Sequence, residues 1–309
     1  MRYLAIMAAL VLLFLSCASA EGEFPELNSE GFLDEGEFVY ENAEEGVWRY
    51  AGTGLRVEIY RRSDTRPNLI WYEAEIWSAE GESFRMLCHD EDKRMTSLQY
   101  PYQIARERGA VFALNSDFAH LRISQKQRPG ILLRDGEIIS DRTRKKNNRF
   151  PNLDTLALFE DGDMRVAYSN ELKASDYAEL GARDVLSFGP YLIRDGELNT
   201  TALKKYGTGR APRTAIGMVE KGHYFALMAE GRHKGSKGVS IRWMAEKLQE
   251  LGCTLGFNLD GGQSAAIVFM GRQLNTLLNA HGYRASARKA AEILAIGSSE
   301  LAARPEDGF

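Results

Sequence analysis

The stretch GFNLDGGQSAAIVFMG (residues 256–271) interrupts an apolar run at Asn258, sets one carboxylate at Asp260, turns through Gly261 and Gly262, and resumes as Ala-Ile-Val-Phe. A tight turn would account for the glycines but not for the polar side chains around them. Two glycines let backbone amides turn inward as an anion-binding concavity. Asp260 offers a carboxylate for nucleophilic or general-base work, and Asn258, Gln263 and Ser264 offer neutral donors and acceptors.

A second polar cluster closes another apolar run. In ALNSDFAH (113–120), Asn115, Ser116, Asp117 and His120 stand where a buried strand would meet a loop. By themselves these types fit an ordinary turn closed by side-chain to backbone bonds. In GTGRAPRTAIGMV (207–219), Arg213 sits at a strand entrance with a planar fork of donors suited to phosphate or carboxylate; solvation on the surface is its plainer reading. The sequence has no GxSxG elbow, HExxH, CxxC, Walker loop or strict GxGxxG. The five histidines (89, 120, 223, 233 and 281) lack metal-ligand spacing, which argues against structural zinc.

These residues need elements to position them. GILLRDGEIIS (130–140), LALFEDGDMRV (156–166) and GPYLIRDGELNT (189–200) each set Asp-Gly between strand-like runs and predict hairpins of the type I′ class. VEKGHYFALMAEG (219–231) and IVFMGRQLN (267–275) predict two more with variant turns. SLQYPYQIARERGA (97–110) is expected to become helical after Pro101. SIRWMAEKLQELG (240–252) is a clearer helix: Ser240 caps it, Ile241, Met244, Ala245, Leu248 and Leu251 form its apolar face, and Gly252 ends it. Each helix feeds an apolar strand, GAVFALN (109–115) and CTLGFNLD (253–260), expected at the buried centre of a mixed sheet. If those two strands are neighbours, their polar ends meet. The predicted class is α+β, a single domain with a mixed, hairpin-rich β-sheet core and a few packed helices.

Taken in order, ALNSDF, GILLRDGEI, LSFGPYLIRDGEL, PRTAIGMV, AEGRHKGSKGVSIRWMAEKLQELGC, FNLDGGQSA and SARKAAEILAIG resemble the phosphodiester glycosidase family over roughly residues 50–298. The resemblance implies cleavage between an anomeric carbon and a phosphodiester oxygen, on substrates of the N-acetylglucosamine-1-phosphodiester kind. Phosphate is a good leaving group, so a positive clamp matters more than a strong general acid. Asn115, Asp117, Arg213, Asn258, Asp260, Gly261, Gly262 and Ser264 match the family's motif positions. On that basis Asp260 is the leading carboxylate, nucleophile or base, and Asp117 the second carboxylate or a sugar ligand. Arg213, Gly261, Gly262 and Ser264 are expected to hold phosphate. Asn115, Asn258 and Gln263 are assigned to the sugar or to positioning the carboxylates, with Arg232 and Arg288 lining the same cleft.

The chain departs from the family pattern at Ser116, where glycine is usual, and at Gln263-Ser264-Ala265, where Gly-Ser-Ser is common. Either departure can shift substrate choice or mark a member that binds without cleaving. A binding module for envelope carbohydrate or phosphopolymer, and a phosphodiesterase that breaks the P–O bond, are the competing readings. No cofactor is required by the sequence, although a calcium or magnesium ion held by Asp117, Asp260 and nearby carbonyls is conceivable.

With 309 residues, 44% of them hydrophobic, the chain can bury a sizeable core. Its first twenty residues carry one early cation, an apolar stretch and an Ala18-Ser19-Ala20 end, a secretory signal too short for a membrane span. Cleavage after Ala20 predicts a secreted or periplasmic protein; lipidation at Cys17 is the alternative. Cys88 and Cys253 then remain, either bridged or as buried thiols. A formal net charge of −4 gives no sign of nucleic-acid binding. Glu21 to Val47 holds ten acidic residues and no Lys or Arg, so residues 21–46 read as a solvated, partly disordered leader. The domain is expected over 47–298, with 299–309 as a tail and the basic loop 141–149 as a solvated segment or an aid to holding phosphate-rich polymer. The sequence leaves the oligomeric state open.

Overall fold

The computed structural model describes residues 22–90, 97–117, 130–142, 153–278 and 284–302. The signal segment with Cys17 and Ala20, His120, His281 and most of the basic loop lie outside the described residues, as does the tail beyond residue 302.

The chain begins as an antiparallel meander, β1 (Phe38–Asn42), β2 (Val47–Ala51), β3 (Leu55–Thr65) and β4 (Asn68–Ser78). Next come β5 (Arg85–Cys88), α1 (Pro101–Glu107) and β6 (Ala110–Asn115). A second group holds β7 (Gly130–Arg134), β8 (Glu137–Arg142), β9 (Asp154–Leu158), β10 (Met164–Ala167), α2 (Ala174–Glu179) and β11 (Asp184–Phe188). It is followed by β12 (Tyr191–Arg194), β13 (Glu197–Leu198), α3 (Thr200–Tyr206), β14 (Arg213–Glu220), β15 (His223–Ala229), α4 (Ile241–Glu250) and β16 (Leu255–Asn258). A 3-10 turn (Gly262–Ser264) leads to β17 (Ile267–Phe269), β18 (Arg272–Gln273), β19 (Leu277–Leu278), β20 (Arg284–Ala285) and β21 (Glu292–Ser298).

Three sheets enclose one core. Their strand orders are β1-β2-β3-β4-β15-β14-β16-β12-β13, then β10-β9-β11-β7-β8, then β18-β17-β6-β21-β5. Strand alternation explains the layering: Phe112 and Leu114 of β6, Leu294 and Ile296 of β21, Ile216 of β14 and Phe257 of β16 point into the shared interior. The opposite faces carry helices. Ala113, Ile293 and Ala295 receive Ile104 and Ala105 of α1, Ala215 and Leu227 receive Met244 and Leu248 of α4, and Val185 and Ala157 pack with Tyr177 of α2. Alanines at several of these outer positions let the helix backbones lie close to the strands.

The α+β class and the hairpin-rich core with few helices are as expected. The parallel ladder that a mixed sheet would contain is missing: the strand pairings found among the described residues are antiparallel. The reason lies in the crossovers. α4 carries the chain from β15 to β16, which run the same way but have β14 between them, and α1 carries it from β5 to β6 across β21. Each helix skips one strand position, and an antiparallel strand fills it. β6 and β16 are not neighbours; they belong to different sheets.

The Asp135-Gly136 and Asp195-Gly196 turns have positive φ at both residues, as type I′ requires, and Met270-Gly271 adopts the same geometry. Residues 156–166 differ. Only Gly162 has positive φ, and Gly162 N–H bonds Phe159 O while Phe159 N–H bonds Asp163 O, the pattern of a longer loop with a bulge. Ser240 caps α4 by accepting from the Trp243 N–H at 3.1 Å.

Residues 22–46 are not a detached leader. β1 pairs with β2 over five residues, Phe32 and Leu33 are buried, and Glu41 meets Arg272 at 2.9 Å. Two apolar side chains and one β-strand outweigh the segment's charge. Cys88 and Cys253 are buried free thiols in separate parts of the core, packed with Leu132 and with Leu248 respectively.

Candidate active site

The polar ends of β6 and β16 do meet, across two sheets. The Asp260 N–H bonds Ser116 O at 3.0 Å, and Asn115 Nδ2 donates to Asp260 O at 2.8 Å. Asn115 Oδ1 accepts from the Ala266 N–H at 2.9 Å, so this one buried side chain staples both ends of the Asp260 loop. Asn258 is also buried and donates through Nδ2 to Gly189 O at 3.0 Å, while its Oδ1 has no partner among the described residues. Both asparagines thus hold the loop that carries the carboxylate.

The two glycine amides, expected to cradle an anion, are already engaged. The Gly261 N–H donates to Asp260 Oδ1 at 2.8 Å, and the Gly262 N–H donates to Pro212 O at 2.8 Å. The glycines serve close approach instead. A Cβ at Gly261 would stand 2.6 Å from Pro212 O, and Gly262 has φ +65 with its Cα facing the terminal nitrogens of Arg232, 3.2 Å from an added Cβ. Ser264 likewise bonds the Asp260 side chain, so it holds the carboxylate that was expected beside it rather than reaching outward for phosphate.

Burial drives the Asp260 carboxyl up to about 6. The Ser264 and Gly261 hydrogen bonds and the Arg288 charge oppose that rise, and the neighbouring Asp117 charge adds to it. Asp117 is itself buried. Arg213 is held below its ordinary value, first by burial and then by the charge of Arg232, with Asp260 acting the other way. Arg213 Nη2 donates to Gly209 O at 3.1 Å, and Nε is buried without a partner among the described residues. Three guanidinium groups, from Arg213, Arg232 and Arg288, therefore gather about two carboxylates.

Gln263 is exposed, and its carbonyl accepts the Arg288 N–H at 2.7 Å, which ties the Arg288 segment to the loop. Ser116 turns away from the site: its side chain is fully buried and its hydroxyl donates to Glu292 O on β21. Its side chain fills space between strands. The set of residues also suits a hard divalent cation poorly, since three guanidiniums compete for the same carboxylates. Among the described residues no three His, Cys, Asp or Glu side chains gather as an ion site.

Sequence reasoning missed the polar pair that flanks Arg232 in the chain. Glu230 is buried and accepts from the Thr276 N–H at 2.7 Å, and His233 Nε2 lies 3.1 Å from its other oxygen. Arg232 between them has φ +67, outside the usual range for a side-chain-bearing residue. The stretch AEGRHKGSKG held the signal, a Glu and a His three apart around Arg-Gly chemistry. A cavity of about 600 Å³ lined by Met164, Tyr177, Arg194 and Thr254 opens at the opposite end of β16 and includes none of the expected site residues.

The phosphodiester glycosidase family model matches residues 108–297, more than half of the chain and all of the elements that build this site. The chain belongs to the phosphodiester glycosidase family. Among solved structures, its fold is similar to the zebrafish N-acetylglucosamine-1-phosphodiester α-N-acetylglucosaminidase catalytic domain auto-inhibited by its pro-peptide. The TM-score is 0.62 at 18% identity, with 79% of this chain and 84% of that one covered. A hypothetical protein from Synechocystis matches with TM-score 0.57 at 15% identity, over 79% of this chain and 62% of that chain. A curated relative is the SPbeta prophage-derived uncharacterized protein YomE of Bacillus subtilis, 25% identical over 184 residues. The match covers 59% of this chain and 28% of YomE, so the chain spans little more than a quarter of that relative's length.

Proposed function

We propose that this family member is a hydrolase that breaks the glycosidic C–O bond of sugar-1-phosphodiesters, giving free sugar and a phosphomonoester. The observation that carries the reading is the Asp260 carboxyl, with a pKa near 6 beside Asp117 and ringed by Arg213, Arg232 and Arg288. Guanidinium groups are suited to the negative charge of a phosphodiester. A binder of phosphate alone would gain nothing from two carboxylates that repel it.

In this reading the arginines hold the phosphate and stabilise the charge that accumulates as the anomeric C–O bond breaks. The bonding pair leaves with the phosphate oxygen, and water's oxygen ends on the anomeric carbon. Asp260 acts as the carboxylate, either attacking that carbon first or taking the proton from the attacking water. Asp117 is the second carboxylate, assigned to a sugar hydroxyl or to the water. The N-terminal signal read from the sequence supports action outside the cytoplasm, on envelope polymers or glycans.

Hydrolysis of α- and β-linked N-acetylglucosamine-1-phosphodiesters in ¹⁸O-labelled water tests the proposal. Label on the anomeric oxygen is the expected result. Label on phosphate would instead make the protein a phosphodiesterase, and binding without turnover of any substrate would make it a binding module.

A further inference from the structure

The Arg232 guanidinium meets the Asp260 loop at Gly262, where both of its terminal nitrogens would lie 3.2 Å from an added Cβ. Burial first and the Arg232 charge second hold Arg213 below its ordinary value, so the two guanidiniums are near one another. Backbone contacts build the same junction. Gly231 is packed so closely against the chain before Arg213 that a Cβ on it would stand 2.9 Å from the Pro212 nitrogen, and Ala211 and Val239 exchange both backbone bonds at 3.1 Å. Pro212 O in turn accepts the Gly262 N–H. The loop that carries Arg232 is thus joined to the loop that carries Asp260 through residues 211–212.

Arg232 is held in a backbone conformation that it would not adopt alone. Its φ of +67 lies in the left-handed region, which a residue with a long side chain occupies only where surrounding bonds over-determine it. Those bonds come from its two flanks. Before it, the Glu230 N–H donates to Ile70 O at 2.9 Å, Ser236 Oγ donates to Glu230 O at 2.7 Å, and the Glu230 carboxylate accepts from the Thr276 N–H at 2.7 Å. After it, His233 exchanges backbone bonds with Ser236 at 3.1 and 3.2 Å. One side-chain bond closes the turn: Glu230 Oε2 and His233 Nε2 are 3.1 Å apart, with only Gly231 and Arg232 between them in the chain. The direction of that bond is fixed. The Gly235 N–H donates to His233 Nδ1 at 3.2 Å, so Nδ1 is an acceptor and the ring hydrogen sits on Nε2, donating to Glu230.

Resting on the hydrolase reading above, in which Arg232 helps to hold the phosphate, we infer that Glu230 and His233 are positioning residues for that arginine. Neither touches the substrate. Their bond fixes the turn at Arg232 and so aims the guanidinium across Gly262 before the diester arrives, which spares the loop from ordering on binding. Without that brace the turn would relax toward ordinary backbone angles, and rotation about φ would swing the guanidinium away from Gly262.

The test is a double-mutant cycle on kcat/KM for N-acetylglucosamine-1-phosphoglycerol. His233→Ala is expected to lower it about 30-fold and Arg232→Ala about 100-fold. R232A/H233A should fall within about twofold of R232A alone, because His233 acts only through the arginine. His233→Gln keeps a side-chain N–H to give to Glu230 and should remain within about threefold of wild type. Wild-type kcat/KM in H233A, a loss in H233Q as large as that in H233A, or the same loss from H233A with and without Arg232 would overturn the inference; the last is what a merely structural residue would give. Where H233A does not fold, Glu230→Gln takes its place in the cycle, since its amide sets a second donor against the His233 Nε2–H at unchanged volume. If the wild type hydrolyses nothing, the hydrolase reading fails separately, and the cycle is read by the calorimetric Kd for the same compound. Weaker binding in each single variant with no further loss in the double supports the inference; independent losses, an unchanged Kd or no binding by the wild type overturn it.

Discussion

Asp260 is held where its charge is costly, by a loop whose hydrogen bonds fix its position without fully stabilising its ionised form. Its carboxyl titrates near 3.8 when unfolded and near 6 when folded. Between those values the folded protein binds the extra proton, so this residue's contribution to stability declines as pH rises from about 4 to about 6 and stays lost above that. Asp260→Asn removes the cost. The variant is expected to hydrolyse nothing, yet to be more stable than wild type at pH 7 by on the order of 2 kcal/mol, a gap that narrows toward pH 4. Urea unfolding at both pH values measures it. In the wild-type protein kcat/KM should climb with pH and level off above about 6, because the carboxylate is the reactive form; a fall over that range would assign Asp260 the role of an acid instead.

Among the elements, β7 and β21 carry a buried ion pair beneath the site. Arg134 of β7 donates to Glu292 of β21 through Nε at 2.7 Å and through Nη2, and its Nη1 donates to Val185 O at 2.6 Å on β11. Both side chains are almost fully buried. The pair therefore ties two sheets together directly behind Ser116, whose hydroxyl reaches the Glu292 carbonyl. Removing one partner leaves an uncompensated buried charge, so Glu292→Leu should cost about 3–5 kcal/mol in denaturant unfolding. R134M/E292L should recover much of that loss, since two apolar groups replace two charges. A single variant that costs less than about 1 kcal/mol would show that the charge finds water.

At the scale of the whole molecule, three sheets share one interior, and the N-terminal segment closes an edge of the largest. Deleting residues 22–42 would expose β2 as an edge strand and uncover the surfaces beneath Phe32 and Leu33. A protein starting at residue 43 is expected to lose about 3–6 kcal/mol of stability and to self-associate, as read by denaturant unfolding and light scattering. Unchanged stability would mean that the segment is dispensable to the fold. The acidic composition predicted solvation there, but composition does not register two well-placed apolar residues and a pairing partner.

Turns, caps and helix faces could be read in the sequence because each depends on a few consecutive residues. Asp-Gly at 135–136 and 195–196 dictated positive φ locally, and Ser240 with its apolar periodicity defined α4. The carboxylates at 117 and 260 were legible as polar stops on apolar strands, helped by the resemblance in motif order. Tertiary structure alone decided what those stops do. The bond from Asn115 to Asp260 spans 145 residues, the Gly261 and Gly262 amides are turned to Asp260 and Pro212, and Glu230 is held by the Thr276 N–H from 46 residues away. A residue's φ and ψ preference is a property of its neighbours in the chain. Which donors remain available to a ligand depends on which distant strands compete for them, and packing around the common core settles that competition.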